Sequence, residues 1–224
     1  MRAAIAGATG LTGQQVLNRL LDDGGIDPVV AVLRKPMHRN HPRLREKVVA
    51  FDSLSALTPV ALDVAFCCLG TTIRKAGSKE AFRAVDYGHV MSFARWAHAN
   101  GARHFLFMSS VGAQLDSGNF YLRVKAEAER DLAALGFEWL DIFQPSFLLG
   151  TRSESRPFER LAQHLIQALR FALAGPLERF RGVTGATVAS AMLARLKAPG
   201  EPGVRRHEWR QITELAGVGT TPST

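Results

Sequence analysis

The chain has 224 residues, 46% of them hydrophobic, and it carries a formal net charge of +8. This length fits one α/β domain. No apolar run approaches the ~20 residues of a membrane span, and the N-terminus lacks a signal-peptide core, so we predict a cytoplasmic protein without a membrane partner.

The predicted elements alternate between strands and helices. Apolar runs at residues 2–6, 28–33, 48–51, 63–69, 103–108 and 137–143 indicate six strands. Three helices are predicted between them: one after the first strand that stops at Gly24-Gly25, one from an N-cap at Ser78 to Asn100-Gly101, and one over residues 120–135 that ends at Gly136. This alternation predicts an α/β fold with a Rossmann-like, doubly wound parallel sheet that binds ligands at the carboxyl ends of its strands.

The pattern changes beyond residue 144. We predict a further helix at residues 187–196 and a last strand at residues 204–212. Another set of apolar residues recurs at helical spacing: Phe158, Leu161, Leu165, Leu169 and Ala172. The sequence therefore predicts a single domain, 1–224. Within it, residues 1–144 form a cofactor-binding core, 145–216 a small extension on the substrate side, and 217–224 a tail.

The positive charge is concentrated rather than spread evenly. Much of it lies in residues 34–47. No aromatic side chains are interleaved with this cluster, so stacking on single-stranded nucleic acid is disfavoured and a phosphorylated small molecule is the expected partner. The sequence does not indicate an oligomeric state.

The cysteines and histidines do not predict a metal site. Cys67 and Cys68 are adjacent at the end of a predicted buried strand, which is typical of small apolar residues and not of zinc ligands. His38 and His41 share the basic segment without a neighbouring carboxylate or thiolate. We therefore predict no bound metal.

A glycine-rich turn follows the first predicted strand. It consists of Gly7, Ala8, Thr9, Gly10, Leu11, Thr12 and Gly13. Without side chains, such a turn lets backbone N–H groups approach a pyrophosphate, and the following helix directs its positive dipole end at that charge. We predict that all seven residues contact a dinucleotide, and a plain tight turn is the alternative.

The second predicted strand ends at Arg34 and Lys35. An NAD-binding domain usually has a carboxylate near this point, whereas a guanidinium there would bind a 2′-phosphate. Arg34 and Lys35 thus favour NADP(H) over NAD(H), unless they are solvated loop cations. Asp52, after the third predicted strand, would accept a hydrogen bond from an adenine amino group or else simply open a turn.

Further candidate cofactor contacts follow the fourth predicted strand. Gly70 would permit close backbone approach, and the Thr71 hydroxyl would bond ribose or phosphate, with Leu69 beside them. A simple turn at the end of the strand remains the alternative.

Tyr121 and Lys125 lie four residues apart on a predicted helix, so they share one face. A free tyrosine is a poor acid or base at neutral pH, and a fixed cation one turn away favours its phenolate. The alternative is an interfacial tyrosine beside a surface lysine. Ser109 and Ser110 lie at the end of the fifth predicted strand, at the cofactor edge, and Ser109 is a predicted cofactor contact. They favour the catalytic interpretation, because a serine there can hold a substrate carbonyl oxygen.

These motifs together resemble the short-chain dehydrogenase/reductase superfamily. The glycine spacing, Ser110 and the Tyr121-x-x-x-Lys125 pattern carry that resemblance. Segments 66–72, 85–87 and 120–125 are similar to its small atypical members around the Tat-interacting oxidoreductase-like proteins. The resemblance implies NADP(H) as cofactor, Tyr121 as general acid, Lys125 on the nicotinamide ribose and Ser110 as carbonyl anchor. It also places Pro145 and Phe147 beside the nicotinamide.

Three departures from the family pattern bear on function. Ser110 and Tyr121 are unusually close in sequence, Asp86 stands where many members have asparagine, and the C-terminal part is small for a sugar-nucleotide enzyme. We therefore expect an NADPH-dependent oxidoreductase that reduces a small carbonyl compound. The alternatives are a non-catalytic NADPH-binding redox sensor or assembly protein and an enzyme like the nucleoside-diphosphate-sugar epimerases.

Overall fold

The computed structural model describes residues 1–149 and 175–218 of the chain. Seven strands of this part form one parallel sheet: β1 (Ala3–Ala6), β2 (Val29–Leu33), β3 (Leu44–Val48), β4 (Val64–Cys67), β5 (His104–Met108), β6 (Trp139–Phe143) and β9 (Gly203–His207). Their order is β3-β2-β1-β4-β5-β6-β9. A separate small sheet pairs β7 (Leu148–Leu149) with β8 (Val183–Thr184). The Rossmann-like fold is therefore confirmed.

Helices cover both faces of this sheet. The α-helices of the described residues are α1 (Leu11–Asp22), α2 (Ile73–Ala76), α3 (Lys79–Arg83), α4 (Val90–Ala99), α5 (Phe120–Ala133), α6 (Gly185–Lys197) and α7 (Trp209–Leu215). Residues Phe51–Ala56 and Gly175–Phe180 form 3-10 helices, and Ala84–His89 form a π-helical turn between α3 and α4.

The sheet separates two hydrophobic cores. On one face, α1, α6 and α7 bury Leu17, Met192 and Ile212 against the strands. On the other, α4 and α5 bury residues such as Phe93 and Leu132. All residues of β1, β2 and β4 are buried, which explains their continuous apolar sequence.

The helix predicted from Ser78 to Asn100 is one helical run with the π-turn inside it. The Ser78 hydroxyl accepts a hydrogen bond from the Ala81 N–H at 3.1 Å, so the predicted N-cap is confirmed. Asn100 is the C-cap of α4. The extra residue of the π-turn changes the face on which later side chains lie, and Asp86 in this turn is buried.

Two predicted strands were wrong in their bounds. The third strand is not residues 48–51 but Leu44–Val48, and Phe51 begins a 3-10 helix instead. Strand β3 lies at the edge of the sheet and is largely polar and only partly buried, so it lacks the continuous apolar run by which the other strands were predicted. The predicted last strand ends at His207, because Glu208 and Gln211 form a capping box that starts α7.

The C-terminal part contributes to the main sheet. Strand β9 pairs with β6, from Trp139 opposite Gly203 to Phe143 opposite His207. The predicted extension therefore supplies the seventh strand of the described sheet as well as α6 and α7. The apolar pattern from Phe158 to Ala172, and residues 219–224 of the predicted tail, lie outside the described residues.

Part of the basic segment serves the fold. The Arg43 guanidinium donates hydrogen bonds to the carbonyls of Leu21 and Asp23, and to that of Ile26 at 3.1 Å. These carbonyls belong to the end of α1 and the turn after it, where the helix dipole favours a cation. Arg39 is bonded to Asn18 at 2.6 Å. Part of the positive cluster therefore caps a helix instead of facing a ligand.

A buried carboxylate joins three strands and a helix. The Asp141 oxygens on β6 lie 2.7 Å from His104 Nε2 on β5, 2.5 Å from His207 Nε2 on β9 and 2.9 Å from Arg195 Nε on α6. Burial alone would raise the pKa of Asp141, but the hydrogen bonds from these three side chains outweigh it and hold the pKa well below its usual range.

We expect Asp141→Asn to destabilise the protein by about 3–5 kcal/mol at neutral pH, measured by urea unfolding, since it breaks a buried charge network. Because folding lowers this pKa, the carboxylate's contribution is present above the pKa of an unfolded aspartate, about 3.9, and is lost as the pH falls below it. The variant should therefore lose less stability than the wild type on acidification. Asp116→Asn, at an exposed position, is the control. The prediction is contradicted if Asp141→Asn and the wild type lose the same free energy of unfolding on acidification.

Candidate functional site

Two adjoining cavities lie at the carboxyl ends of the strands. The first, of about 490 Å³, extends from the glycine-rich turn to the end of β2. The second, of about 240 Å³, lies between the ends of β4 and β5 and the start of α5. They share the lining residues Gly10, Leu11, Cys68, Leu69, Gly70 and Thr71, so they form one continuous cleft. The ligand position predicted for a doubly wound sheet is thus where the cavities occur.

The glycine-rich turn is shaped by close backbone approaches. Gly7 has φ +81°, and a Cβ there would lie 2.4 Å from the Cys68 carbonyl oxygen. A Cβ on Gly13 would lie 2.0 Å from the Gly7 carbonyl oxygen. Gly10 is the N-cap of α1 and has no side chain to cap it. The first N–H groups of α1 are therefore available to an anion in the first cavity.

The residues of this turn take different positions. Gly7, Ala8, Thr9, Gly10 and Leu11 line the first cavity. Thr12 lines the second, and its buried hydroxyl has no hydrogen-bond partner among the described residues. Gly13 lines neither and instead allows α1 to pack on the turn. An orphaned hydroxyl beside a turn that excludes side chains fits a polar ligand.

The two cations predicted to bind a 2′-phosphate are placed differently. Arg34, at the end of β2, lines the first cavity, whereas its neighbour Lys35 is exposed and does not line it. Among the described lining residues of this cavity, Arg34 and Lys75 carry formal charges and no carboxylate is present. Lys75, on α2 across the cleft, was missed in the sequence because a short exposed helix has no distinctive pattern.

The far wall of the first cavity is an aromatic pair that the sequence did not indicate. The Phe51 ring stacks on the His89 imidazole with 5.0 Å between centroids and 21° between planes, and both line the cavity. Asp52, predicted to bind adenine, is exposed and does not line it. Burial, with a smaller contribution from Arg34, lowers the pKa of His89 despite the opposing effect of Asp52. A neutral imidazole beside a phenyl ring provides a flat wall suited to a base.

All three predicted catalytic residues line the second cavity. Ser110 follows β5, and Tyr121 and Lys125 project from α5. Helix α5 begins there because the Asn119 side chain accepts a hydrogen bond from the Tyr121 N–H at 2.9 Å. The Tyr121 ring packs against Phe82, with centroids 5.3 Å apart.

The remaining predicted cofactor contacts also lie at this cavity. Its lining includes Leu69, Gly70, Thr71, Ser109, Pro145 and Phe147. Phe147 is 73% exposed, so its ring stands at the mouth. Ser109 is different from its neighbour, because its hydroxyl donates to the buried Glu129 carboxylate at 2.5 Å.

Lys125 is held by a buried ion pair. Its Nζ lies 2.8 Å from Asp86 Oδ1, and the two side chains are 3% and 0% exposed. The other oxygen, Asp86 Oδ2, accepts a hydrogen bond from the Thr71 N–H at 2.9 Å. Burial opposes the ammonium charge, but Asp86 and Tyr121 outweigh it and raise the pKa of Lys125. The lysine is therefore charged at neutral pH, and the aspartate that departs from the family pattern is its partner.

Cys68 lines both cavities, whereas Cys67 lines neither, and neither thiol has reactive character. Both are free and buried, as the sequence predicted. Burial raises the pKa of the Cys67 thiol to about 12 and also raises the pKa of the Cys68 thiol. Their part is structural, and the Cys68 carbonyl contacts the glycine-rich turn.

The chain matches the family model described as NAD(P)H-binding over residues 7–199. It belongs to this family. Protein HTATIP2 from Rattus norvegicus is 36% identical over 94% of this chain and 87% of its own length. Protein FMP52-1, mitochondrial, from Scheffersomyces stipitis is 32% identical over 96% and 98%. The resemblance to small atypical short-chain dehydrogenases is thereby confirmed.

Solved structures of the NAD(P)H-binding type share the fold at low identity. A human epimerase family protein, SDR39U1 isoform 2, crystallised with NADPH, superposes with a TM-score of 0.61 at 18% identity, over 93% of this chain and 74% of that one. MoeE5 in complex with UDP-glucuronic acid and NAD gives 0.67 at 17%, over 97% and 83%. These likenesses establish the epimerase-like fold alone. In residues 1–149 and 175–218, every helix is too short or too polar to span a bilayer.

Replacing Asp86 by asparagine should make stability rise with pH between pH 7 and pH 10, a range in which Lys125 gives the wild type no pH dependence. In the wild type the raised pKa of Lys125 means that its contribution is present below the pKa of an unfolded lysine, about 10.4, and is lost as the pH rises above the folded value. Without the carboxylate, burial lowers the pKa of Lys125, so unfolded chains bind more protons and stability rises with pH toward about 10. Urea unfolding from pH 7 to pH 10 measures the slope.

Asp116→Asn is the matched control, since Asp116 is exposed and lines neither cavity. If stability from pH 7 to pH 10 has the same pH dependence in Asp86→Asn as in the wild type, this carboxylate does not hold the Lys125 charge.

Proposed function

We propose that this protein is an NADPH-dependent oxidoreductase that reduces a small carbonyl compound. The observation that carries the proposal is the shared position of Ser110, Tyr121 and Lys125 on one cavity of about 240 Å³, which continues into the cavity beneath the glycine-rich turn. Reduction of a carbonyl group requires a donor for its oxygen, a proton source and a cation to support that source. These three residues supply those functions.

The charge of the first cavity supports NADP(H) over NAD(H). Its charged lining residues among those described are Arg34 and Lys75, and it has no carboxylate to repel a 2′-phosphate. Arg34 lies at the end of β2, where an NAD-binding domain has its acidic residue. The α1 N-terminus and Lys75 would hold the pyrophosphate, and the Phe51–His89 pair would flank the adenine.

The chain's own residues complete the reaction. When bound, the nicotinamide supplies a hydride to the carbonyl carbon. The Ser110 hydroxyl donates a hydrogen bond to the carbonyl oxygen and polarises the C=O bond. Tyr121 gives its phenolic proton to that oxygen, so the carbonyl gains one hydride and one proton and becomes an alcohol. The Lys125 ammonium stabilises the phenolate that remains.

The size of the second cavity favours a small substrate over a nucleotide sugar.

One observation favours a second function, an NADPH-binding redox sensor without turnover. Asp86 already neutralises Lys125 at 2.8 Å and reduces the positive potential available to Tyr121.

We propose a small molecule, not a nucleic acid, as the partner. We also propose a cytoplasmic location, although the fungal relatives are named mitochondrial.

Arg34→Ala should weaken NADPH binding about 10- to 100-fold and leave NADH binding nearly unchanged, because a charge-assisted hydrogen bond to phosphate contributes about 1.5–3 kcal/mol. Fluorescence titration of each cofactor measures the effect. The matched control is Lys35→Ala, which removes the same charge from a residue outside the cavity. Equal losses for both cofactors, or an equal loss in the Lys35 variant, would refute the 2′-phosphate contact.

Tyr121→Phe should lower kcat for a carbonyl substrate by about 10²–10⁴-fold while NADPH still binds, because it removes only the proton donor. A panel of aldehydes and ketones with NADPH oxidation as the readout tests this. The chain has two tyrosines, so Tyr87→Phe is the matched control. The Tyr87 hydroxyl donates to Asp131 at 2.7 Å, and Tyr87 lines neither cavity. Turnover should therefore be unchanged in this variant. A wild type that binds NADPH and reduces no compound would favour the sensor.

A further inference from the structure

Glu129 is a buried carboxylate that none of the binding or catalytic steps above uses. It lies on α5 and is 3% exposed. Its Oε1 accepts hydrogen bonds from Ser109 Oγ at 2.5 Å and from Gln144 Nε2 at 2.8 Å, and its Oε2 lies 3.0 Å from Arg206 Nε. A buried charge with three donors is stable in place, because moving it would leave each donor unsatisfied.

The position of Glu129 on its helix connects it to the second cavity. Tyr121, Lys125 and Glu129 follow one another at four-residue intervals, so they lie along one face of α5. Lys125 Nζ donates to the Met108 carbonyl at 3.4 Å, and one turn later Glu129 accepts from Ser109. Successive turns of α5 thus contact successive residues at the end of β5.

The contact to Ser109 matters because Ser110 has little else to hold its side chain. The Ser110 hydroxyl has a long contact of 3.5 Å to the Val111 carbonyl. By contrast, Ser109 is held on both sides: its N–H donates to the Phe143 carbonyl at 2.8 Å and its hydroxyl donates to Glu129. The backbone after Ser110 is also held by the Val111 N–H, which donates to the Pro145 carbonyl at 3.1 Å. Of these contacts, the one from Ser109 to Glu129 joins this segment to α5, the helix that carries Tyr121.

The other two donors extend this attachment across the sheet. Gln144 follows β6, and its N–H donates to the His207 carbonyl of β9 at 2.8 Å. Arg206 lies on β9 and reaches Glu129 from the solvent side, with half of its side chain exposed. The ends of β5, β6 and β9 are thereby joined to the helix that carries the proposed acid.

We propose that Glu129 is a positioning residue that, through Ser109, sets the distance between the Ser110 hydroxyl and the Tyr121 phenol. This inference rests on the proposed reduction of a carbonyl group, in which both hydroxyl groups must reach one oxygen. Glu129 touches neither substrate nor cofactor, and its effect on the reaction is geometric.

Ser109→Ala tests the proposal with a small change, because it removes one hydroxyl from the network and leaves the carboxylate with two donors. We expect kcat for carbonyl reduction to fall about 10- to 100-fold, since a displacement near 1 Å between reacting groups has an effect of this order. The KM for NADPH should stay unchanged. Ser109→Thr, which keeps the hydroxyl, should restore kcat, and Glu129→Gln should reduce it as Ser109→Ala does.

Leu20→Ala is the control for lost stability, since it removes a fully buried side chain on α1, at the other end of the sheet from Glu129, and lines neither cavity. The proposal is overturned if Ser109→Ala keeps the wild-type kcat, or if Leu20→Ala lowers kcat as much. Crystal structures with NADP⁺ supply a readout independent of turnover. The separation of Ser110 Oγ and Tyr121 Oη should change by about 0.5 Å or more in Ser109→Ala, the tolerance within which catalytic groups must be held.

These measurements separate two failures. A wild type that reduces no carbonyl compound refutes the proposed function, and the crystal structures alone then judge the positioning role of Glu129. An unchanged separation between the two hydroxyl groups refutes that role even if the enzyme is active.

Discussion

The whole cleft depends on three backbone segments that approach one another more closely than a side chain would allow. The carbonyl of Cys68 lies against Gly7, and the carbonyl of Gly7 lies against Gly13. These contacts bring β1, the end of β4 and the first turn of α1 together. Because no Cβ separates them, the N-terminus of α1 lines the first cavity, and the residues that follow β4 line both cavities.

A second constraint is the compensation of buried charge on the other half of the sheet. Lys125 is paired with Asp86, Glu129 with Arg206, and Asp141 with two histidines and an arginine. Each group carries a desolvation penalty that its partners must offset. The partners come from different elements, so the penalty makes the relative placement of α5, β5, β6 and β9 specific. The proposed reacting groups lie at the end of this polar region, where a defined geometry is most useful.

The sequence predicted the parts of the fold that local physics determines. The Ser78 cap, the end of α1 before Gly24-Gly25 and the start of α5 follow from patterns within a single element, and the spacing of Tyr121 and Lys125 placed both on one face. Strand β3 was mislocated because an edge strand has polar residues on its open side. The start of α7 was missed because nothing in the sequence distinguishes Glu208, which caps this helix, from an ordinary surface glutamate.

The missed site residues share a physical reason. Phe51, His89 and Lys75 reach the cleft from three separate segments, and Asp86 and Glu129 find their partners only when helix and sheet pack. The sequence pattern within one element does not indicate such contacts between residues of different elements. The family resemblance marked Asp86 as a departure but did not identify Lys125 as its partner, because that contact depends on the π-turn that places Asp86 inward.

The two buried cysteines have a consequence for the chemistry proposed here. A carbonyl compound that enters the cleft is an electrophile, and the thiolate, not the thiol, is the form of cysteine that adds to an electrophile. Cys68 lines both cavities, yet burial raises the pKa of Cys67 to about 12 and shifts that of Cys68 in the same direction, so at neutral pH both remain thiols. Cys68 therefore presents an unreactive thiol, not a nucleophile, to a compound bound in the cleft.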